Sequence, residues 1–233
     1  MKVAHVSDIH AEDSDFELDR LRDLVREIIH QNPDVCVISG DLTDHGKSGE
    51  IETLRRPLNH LSSHVPTLAT LGNHDSGWNG IWFTQSAHDR TEQFIHSISP
   101  WKAKENPPYH FDKGGYRFIG IDTTYPLKVD RWSLARGRVG PSQRDAVKRI
   151  AEPTDLRPVL VLHHHPFARG FGLELKDSAK FMAELFPLVH AVMFGHKHTR
   201  ERWGNMFAAG KALAEESFRL IDLDSLEDRI IHF

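Results

Sequence analysis

Five times in this chain a short run of aliphatic and β-branched residues stops abruptly at carboxylate, amide or imidazole side chains. The runs cover residues 3–6, 34–39, 67–71, 159–162 and 191–194. The polar clusters that follow them are Asp8-Ile9-His10, Gly40-Asp41-Leu42-Thr43-Asp44, Gly72-Asn73-His74-Asp75, His163-His164-His165-Pro166 and Gly195-His196-Lys197-His198. Runs this short and this continuously apolar read as strands buried on both faces. Between the first three strands lie helical patterns. Phe16, Leu18, Leu21, Leu24, Val25, Ile28 and Ile29 repeat at helical spacing until Asn32-Pro33, and Ile51, Leu54, Leu58 and Leu61 predict a second helix over 50–63, which Pro57 should kink or break. Alternating strands and helices call for a layered α/β architecture, and open α/β sheets gather their sites at the carboxyl ends of the strands, where these clusters fall.

Further along, strands are predicted at 116–122 and 218–223, and helices at 87–98, 142–150 and 178–186. Residues 76–115 otherwise read as long loops, a pattern often associated with lids. No repeat or linker divides the 233 residues, so a single domain over 1–233 is expected.

Bulk properties exclude more than they select. A net charge of −4 gives no global signature for nucleic acid or anionic membrane. Cys36 is the only cysteine, which rules out an intrachain disulfide and a cysteine-rich zinc site; between Val35 and Val37 it reads as a small buried hydrophobe. The chain starts directly in a strand pattern, and no apolar run approaches the roughly 18 residues of a membrane span, so a cytoplasmic location is expected. The 17 histidines are notable, since imidazole is the commonest metal ligand, but position must decide which of them matter.

The five clusters, in this order, resemble the signature of the calcineurin-like metallophosphoesterase superfamily: D-x-H, G-D-x-x-D, G-N-H-[DE], a histidine in H-x-P, and G-H-x-H. Asp122-Thr123-Thr124 and Gly137-Arg138-Val139 with Gln143 are similar to two intervening features of that family. The resemblance implies an α/β/β/α sandwich with two mixed β-sheets and a centre of two transition metal ions. Carboxylate, amide and imidazole donors without thiolate suit Mn, Fe or Zn. By motif matching, Asp8, His10 and His198 would hold one metal, Asn73, His164 and His196 the other, and Asp41 would bridge them. Of the three consecutive histidines, His164 fits the H-x-P register, with His163 expected to point away. Gly40, Gly72 and Gly195 directly precede expected ligands, where a side chain would clash or restrict φ.

Two metals about 3.5–4 Å apart can activate a water as nucleophile, which leaves the chain to supply an acid for the departing oxygen. His74 is the candidate acid, with Asp75 expected to accept its other ring N–H and fix its orientation. Asp44 is expected to support a ligand. His45 and His165 flank the blocks, Lys197 stands between two expected ligands, and Trp78, Trp82 and Phe83 offer rings for stacking a base or for anchoring a loop. Arg131, Arg136, Arg138 and Arg169 are further candidates for the pocket rim. The remaining histidines are expected to be structural or on the surface.

The function implied is a metal-dependent phosphoesterase acting on a small phosphate ester, nucleotides included, with no membrane partner and with nucleic acid left open as a substrate. The versions of the blocks look most like small phosphodiesterases for cyclic nucleotides and glycerophosphodiesters. Protein Ser/Thr phosphatases carry arginine where this chain has His45, and lipid A precursor pyrophosphatases resemble G-N-R-D where it has His74. The alternatives are a phosphomonoesterase, a nuclease of the same superfamily, or a non-catalytic scaffold, which should have lost ligands that are all present here.

Overall fold

The computed structural model describes residues 1–77, 84–102, 106–124, 136–152, 155–167 and 173–233. The first half follows the expected alternation: β1 (Lys2–Val6), α1 (Asp15–Gln31), β2 (Val35–Ser39), α2 (Ser48–His64), β3 (Thr67–Thr70) and α3 (Gln85–Ile98). Local chemistry sets the limits of α1. The Ser14 hydroxyl accepts the Glu17 N–H at its start, and the chain leaves it through Asn32 in the left-handed conformation, followed by Pro33. The expected break in α2 is absent, because the helix runs through Pro57. The ring removes one helical hydrogen bond, but Ile51, Leu54, Leu58 and Leu61 are buried on both sides of it, and their packing holds the turns together.

The second half contains β4 (Tyr109–Lys113), β5 (Tyr116–Gly120), α4 (Gly140–Ala151), β6 (Arg157–Val161), α5 (Ser178–Glu184), β7 (Ala191–Phe194), β8 (Arg202–Trp203), β9 (Met206–Ala208), β10 (Ser217–Asp222) and β11 (Asp228–His232). The expectation of long loops up to residue 115 misses β4, which pairs antiparallel with β5 across the Gly114-Gly115 turn. That glycine pair was the available signal.

One sheet has the order β11-β10-β1-β2-β3 and the other β4-β5-β6-β7-β9-β8. Both are mixed. In the first, β1, β2 and β3 run parallel, β10 is antiparallel to β1 and β11 antiparallel to β10; in the second, β5, β6, β7 and β9 are parallel with an antiparallel strand at each edge. The sheets pack face to face with helices outside, the α/β sandwich that the resemblance implied. Strand parity builds the layers. Val159 and Val161 of β6 and Ala191 and Met193 of β7 join the core shared with the first sheet, whereas Leu160, Leu162, Val192 and Phe194 face the other way onto Val147 of α4 and Phe181 of α5. No helix among the described residues is long and apolar enough to cross a membrane.

Candidate metal centre

The carboxyl ends of β1, β2, β3, β6 and β7 meet at one end of the sandwich and bring all five polar clusters together. Asp8, His10, Asp41 and His198 each place one ligand atom within 4.8 Å of the others, and Asp41, His163 and His196 form a second such group. Asp41 belongs to both. Its Oδ2 lies 3.6 Å from His10 Nε2 and 3.1 Å from His163 Nε2.

The backbone is bent to achieve this. Eight non-glycine residues have positive φ among the described residues, and five of them are Asp8 (50°), His10 (48°), Asp41 (49°), His196 (78°) and His198 (55°). Such conformations are costly for residues with a Cβ and gather where function over-determines the geometry. Tight approach adds to it. A Cβ on Gly72 would lie 2.5 Å from the Asp41 backbone nitrogen and 2.2 Å from its Oδ1, so only glycine lets the ends of β2 and β3 close this far.

Tautomers can be argued from hydrogen bonds. His163 Nδ1 donates to the Ser39 carbonyl at 2.9 Å, so in the neutral ring Nε2 carries a lone pair. That nitrogen faces Asp41 Oδ2 at 3.1 Å, Asn73 Oδ1 at 3.2 Å and His196 Nδ1 at 3.1 Å. On the other side His10 Nδ1 donates to Asp44 Oδ1 at 3.0 Å, and its Nε2 faces His198 Nε2 at 3.1 Å, Asp41 at 3.6 Å and Asp8 Oδ1 at 3.9 Å. Each side crowds carboxylate, amide and imidazole donor atoms together, an arrangement that a cation satisfies, and these oxygen and nitrogen donors fit a first-row transition metal.

Proton affinities follow the same logic. Burial pushes His163 down, but the Asp41 charge and hydrogen bond, helped by Asp8, outweigh it and raise the imidazole to about 9. Burial pushes Asp41 up, yet the imidazoles of His163, His74 and His10 hold its carboxyl well below the usual range. His10 is lowered by burial against the opposing pull of Asp41. His198 is raised by its hydrogen bond to Asp8, against a smaller effect of burial.

The structure alters two of the expected positions. His163, not His164, turns into the centre. The alternation of side chains decides it: His163 continues the parity of Val159 and Val161, on the face toward the first sheet, while His164 continues that of Leu160 and Leu162. His164 is fully buried behind the centre. Its Nδ1 meets the Thr123 hydroxyl at 2.7 Å, its ring lies where a Cβ on Gly137 would clash, and it packs against the His196 ring at 4.5 Å. Strand parity was the signal in the sequence that could have identified His163.

The second change concerns Asp75, which does not orient His74. Fully buried, it accepts hydrogen bonds from the N–H groups of Gly72 (2.9 Å), Leu42 (3.3 Å) and Thr43 (2.9 Å) and from the Thr43 hydroxyl (2.8 Å). It ties the β2 loop to the β3 loop. Burial, with the nearby Asp41 charge, raises its carboxyl to about 6 against those donors. His74 is held by Asp44 instead: Nδ1 donates to the Asp44 carbonyl at 2.9 Å and lies 3.5 Å from its carboxylate. The His74 backbone N–H donates to Asp41 Oδ1 at 2.9 Å, and its ring stands edge-on to His10 at 4.5 Å. Asp44 thus positions His10 and His74 together, the support role expected for it.

Of the flanking residues, His165 is buried among Phe167, Phe194 and Trp203. His45 pairs with Asp44 at 2.9 Å, and Arg136 with Glu174 at 2.9 Å. Trp78, Trp82, Phe83, Arg131 and Arg169 lie outside the described residues.

Comparisons with known proteins point to a family. A probable cyclic nucleotide phosphodiesterase of Synechococcus sp. is 28% identical over 176 residues, 72% of this chain and 59% of that protein. A cAMP/cGMP dual specificity phosphodiesterase of Mycobacterium tuberculosis is 27% identical over 215 residues, 84% of this chain and 61% of that protein. The aligned part therefore spans 59% and 61% of the length of these two relatives. Among solved structures, a dimetal phosphatase from Danio rerio superposes with a TM-score of 0.65 at 14% identity, over 100% of this chain and 99% of that one. The family model for calcineurin-like phosphoesterases matches residues 1–200, so this chain belongs to the calcineurin-like phosphoesterase family, a family of metal-dependent phosphoester hydrolases.

Proposed function

We propose that this chain is a binuclear metal-dependent phosphodiesterase. The observation that carries the reading is the convergence of donor atoms on both sides of Asp41. Asp8, His10 and His198 would hold one ion and Asn73, His163 and His196 the other, with Asp41 standing in both groups, and Mn, Fe or Zn would suit these donors. Two bound ions supply the acidification of a water and the electrostatic clamping of a phosphoryl oxygen.

The chain's own residues do the rest. Esters of ordinary alcohols expel a poor leaving group unless its oxygen is protonated. His74 is the donor. With Nδ1–H engaged by the Asp44 carbonyl, Nε2 is the nitrogen left to deliver a proton, and the ring, whose side chain is 29% exposed, can reach a substrate. Asp44 holds the acid and the ligand His10 in register, so proton delivery and metal binding share one support. Asp75 keeps the two loops closed without touching the substrate. The names of the relatives support a nucleotide diester as substrate, cyclic nucleotides first.

The test is a substrate panel on protein stripped and reloaded with Mn, Fe or Zn: 2′,3′- and 3′,5′-cyclic nucleotides, a glycerophosphodiester, and nitrophenyl mono- and diesters. Diester turnover that chelation abolishes and metal restores is the expected result. Turnover indifferent to chelation would overturn the mechanism, monoester preference would point to a phosphomonoesterase, and no turnover with both ions bound would point to a scaffold.

A further inference from the structure

Beyond residue 200, where the family match ends, the loop after β9 brings Lys211, a cation outside the signature blocks, beside two segments of the site. Two backbone hydrogen bonds pin this loop against the centre. The Ala209 N–H donates to the Phe194 carbonyl at 2.9 Å, just before Gly195-His196, and the Ala212 N–H donates to the Ser7 carbonyl at 3.2 Å, just before Asp8. Lys211 therefore lies between the anchor points of two ligand-bearing segments. The loop is also fixed from outside, where Arg20 of α1 donates to the Leu213 carbonyl.

The neighbouring acid does not neutralise this lysine. Glu215 is folded under Gly210, where a Cβ would come within 2.4 Å of its carboxylate, and it pairs with Arg200 at 2.8 Å. Glu17, the other nearby carboxylate, is 4.0 Å from Arg20. Lys211 is half-buried, and its ammonium has no hydrogen bond or ion pair with a described residue. The backbone places that charge beside the centre, since the next residue, Ala212, hydrogen-bonds the Ser7 carbonyl one residue before Asp8.

Beside two dications a lysine is repelled, so it stabilises nothing there unless an anion lies between. The anion that the proposed reaction brings is a phosphoryl group. We propose that Lys211 binds a non-bridging phosphoryl oxygen of the substrate, and of product phosphate, beside the segments that bear Asp8 and His196. This rests on the phosphoesterase reading above and names a substrate contact for it. As a compact point charge on a flexible stem, lysine suits an oxygen whose position shifts between substrate and product.

The test uses Lys211→Met and Lys211→Arg in protein reloaded with Mn, with inorganic phosphate as the probe. Phosphate affinity is measured by calorimetry, metal content by mass spectrometry, and KM with bis(4-nitrophenyl) phosphate. A charge-assisted contact in a half-exposed position implies that Lys211→Met weakens phosphate binding and raises KM by about tenfold. Metal content should stay unchanged, the salt dependence of phosphate binding should flatten, and Lys211→Arg should recover most of the loss. Unchanged phosphate affinity in Lys211→Met, or a loss that tracks lost metal, would overturn the assignment. If reloaded wild-type protein binds phosphate through Lys211 but turns over no ester, the proposed reaction fails and the lysine contact stands; if it binds no phosphate, the contact falls too.

Discussion

Replacing His163 and, separately, His164 by alanine distinguishes two adjacent buried histidines by what each touches. In His163→Ala, the nitrogen 3.1 Å from both Asp41 and His196 disappears. Loss of a mere supporting partner to a metal ligand costs about 10–100-fold in metal affinity, so loss of the ligand itself should exceed about 100-fold for one of the two ions. The fold suffers less. The Ser39 carbonyl loses the imidazole donor but keeps the Ser7 hydroxyl at 3.1 Å, which limits the polar cost to about 1 kcal/mol, or about 2–4 °C in Tm for a chain of this size. His164→Ala should behave oppositely. It deletes a ring packed between Gly137 and His196 and strands the Thr123 hydroxyl, so thermal stability should fall further while affinity for both ions stays within about tenfold. Metal stoichiometry after dialysis, read beside a thermal melt, separates the two. Loss of one ion from His164→Ala, with both retained in His163→Ala, would refute the parity argument and restore the original assignment.

Asp75→Asn should lower Tm, because an amide cannot accept all four hydrogen bonds now made to the carboxylate; a buried donor left unpaired costs about 1–3 kcal/mol, and a kinetic defect confined to poor leaving groups would instead return Asp75 to the role of orienting His74. His74→Ala should keep metal and slow hydrolysis of an alkyl ester by about 10²–10⁴-fold, with a much smaller loss on a nitrophenyl ester; equal losses on both would contradict proton donation. Gly72→Ala drives a methyl group into the Asp41 backbone, so both metal affinity and stability should drop, the latter by about 1–3 kcal/mol, and wild-type metal content with an unchanged melt would argue against the close approach. Burial lowers His88, but its buried contact with Asp122 at 3.4 Å outweighs that and leaves its pKa raised. A histidine whose folded pKa lies above the unfolded value of 6.5 contributes stability that is fully present below 6.5 and is lost as pH rises through the folded value. His88→Gln should therefore flatten the fall in Tm as pH rises above the unfolded value, and a slope identical to wild type would exclude the pair as its source.

Where the sequence succeeded, the information was local and periodic. Continuous apolar runs and 3.6-residue repeats gave the strands and helices that build the sandwich, because burying those residues admits few other arrangements. The order of Asp8, His10, Asp41, Asn73, His74, His196 and His198 along the chain was sufficient to name the cluster, since each follows a strand whose end faces the same way. It failed where a side chain has two plausible directions or a partner far along the chain. Asp75 sits next to His74 in sequence, but besides Gly72 the N–H groups that need its oxygens, those of Leu42 and Thr43, belong to a loop more than thirty residues earlier, which no local pattern reports.

By itself, then, the sequence determined the strands and helices of the core, their order and the kind of donor at the strand ends, because apolar periodicity and donor type are properties of the residues themselves, while the two-sheet layering came from the family resemblance. The tertiary structure decided direction and company. It turned His163 inward through the parity of β6, gave His74 to Asp44, tied Asp75 to the backbone, and set Lys211 between the segments bearing Asp8 and His196. These depend on how closely separate strands approach and which buried donor meets which acceptor, and both are fixed only when the two sheets pack.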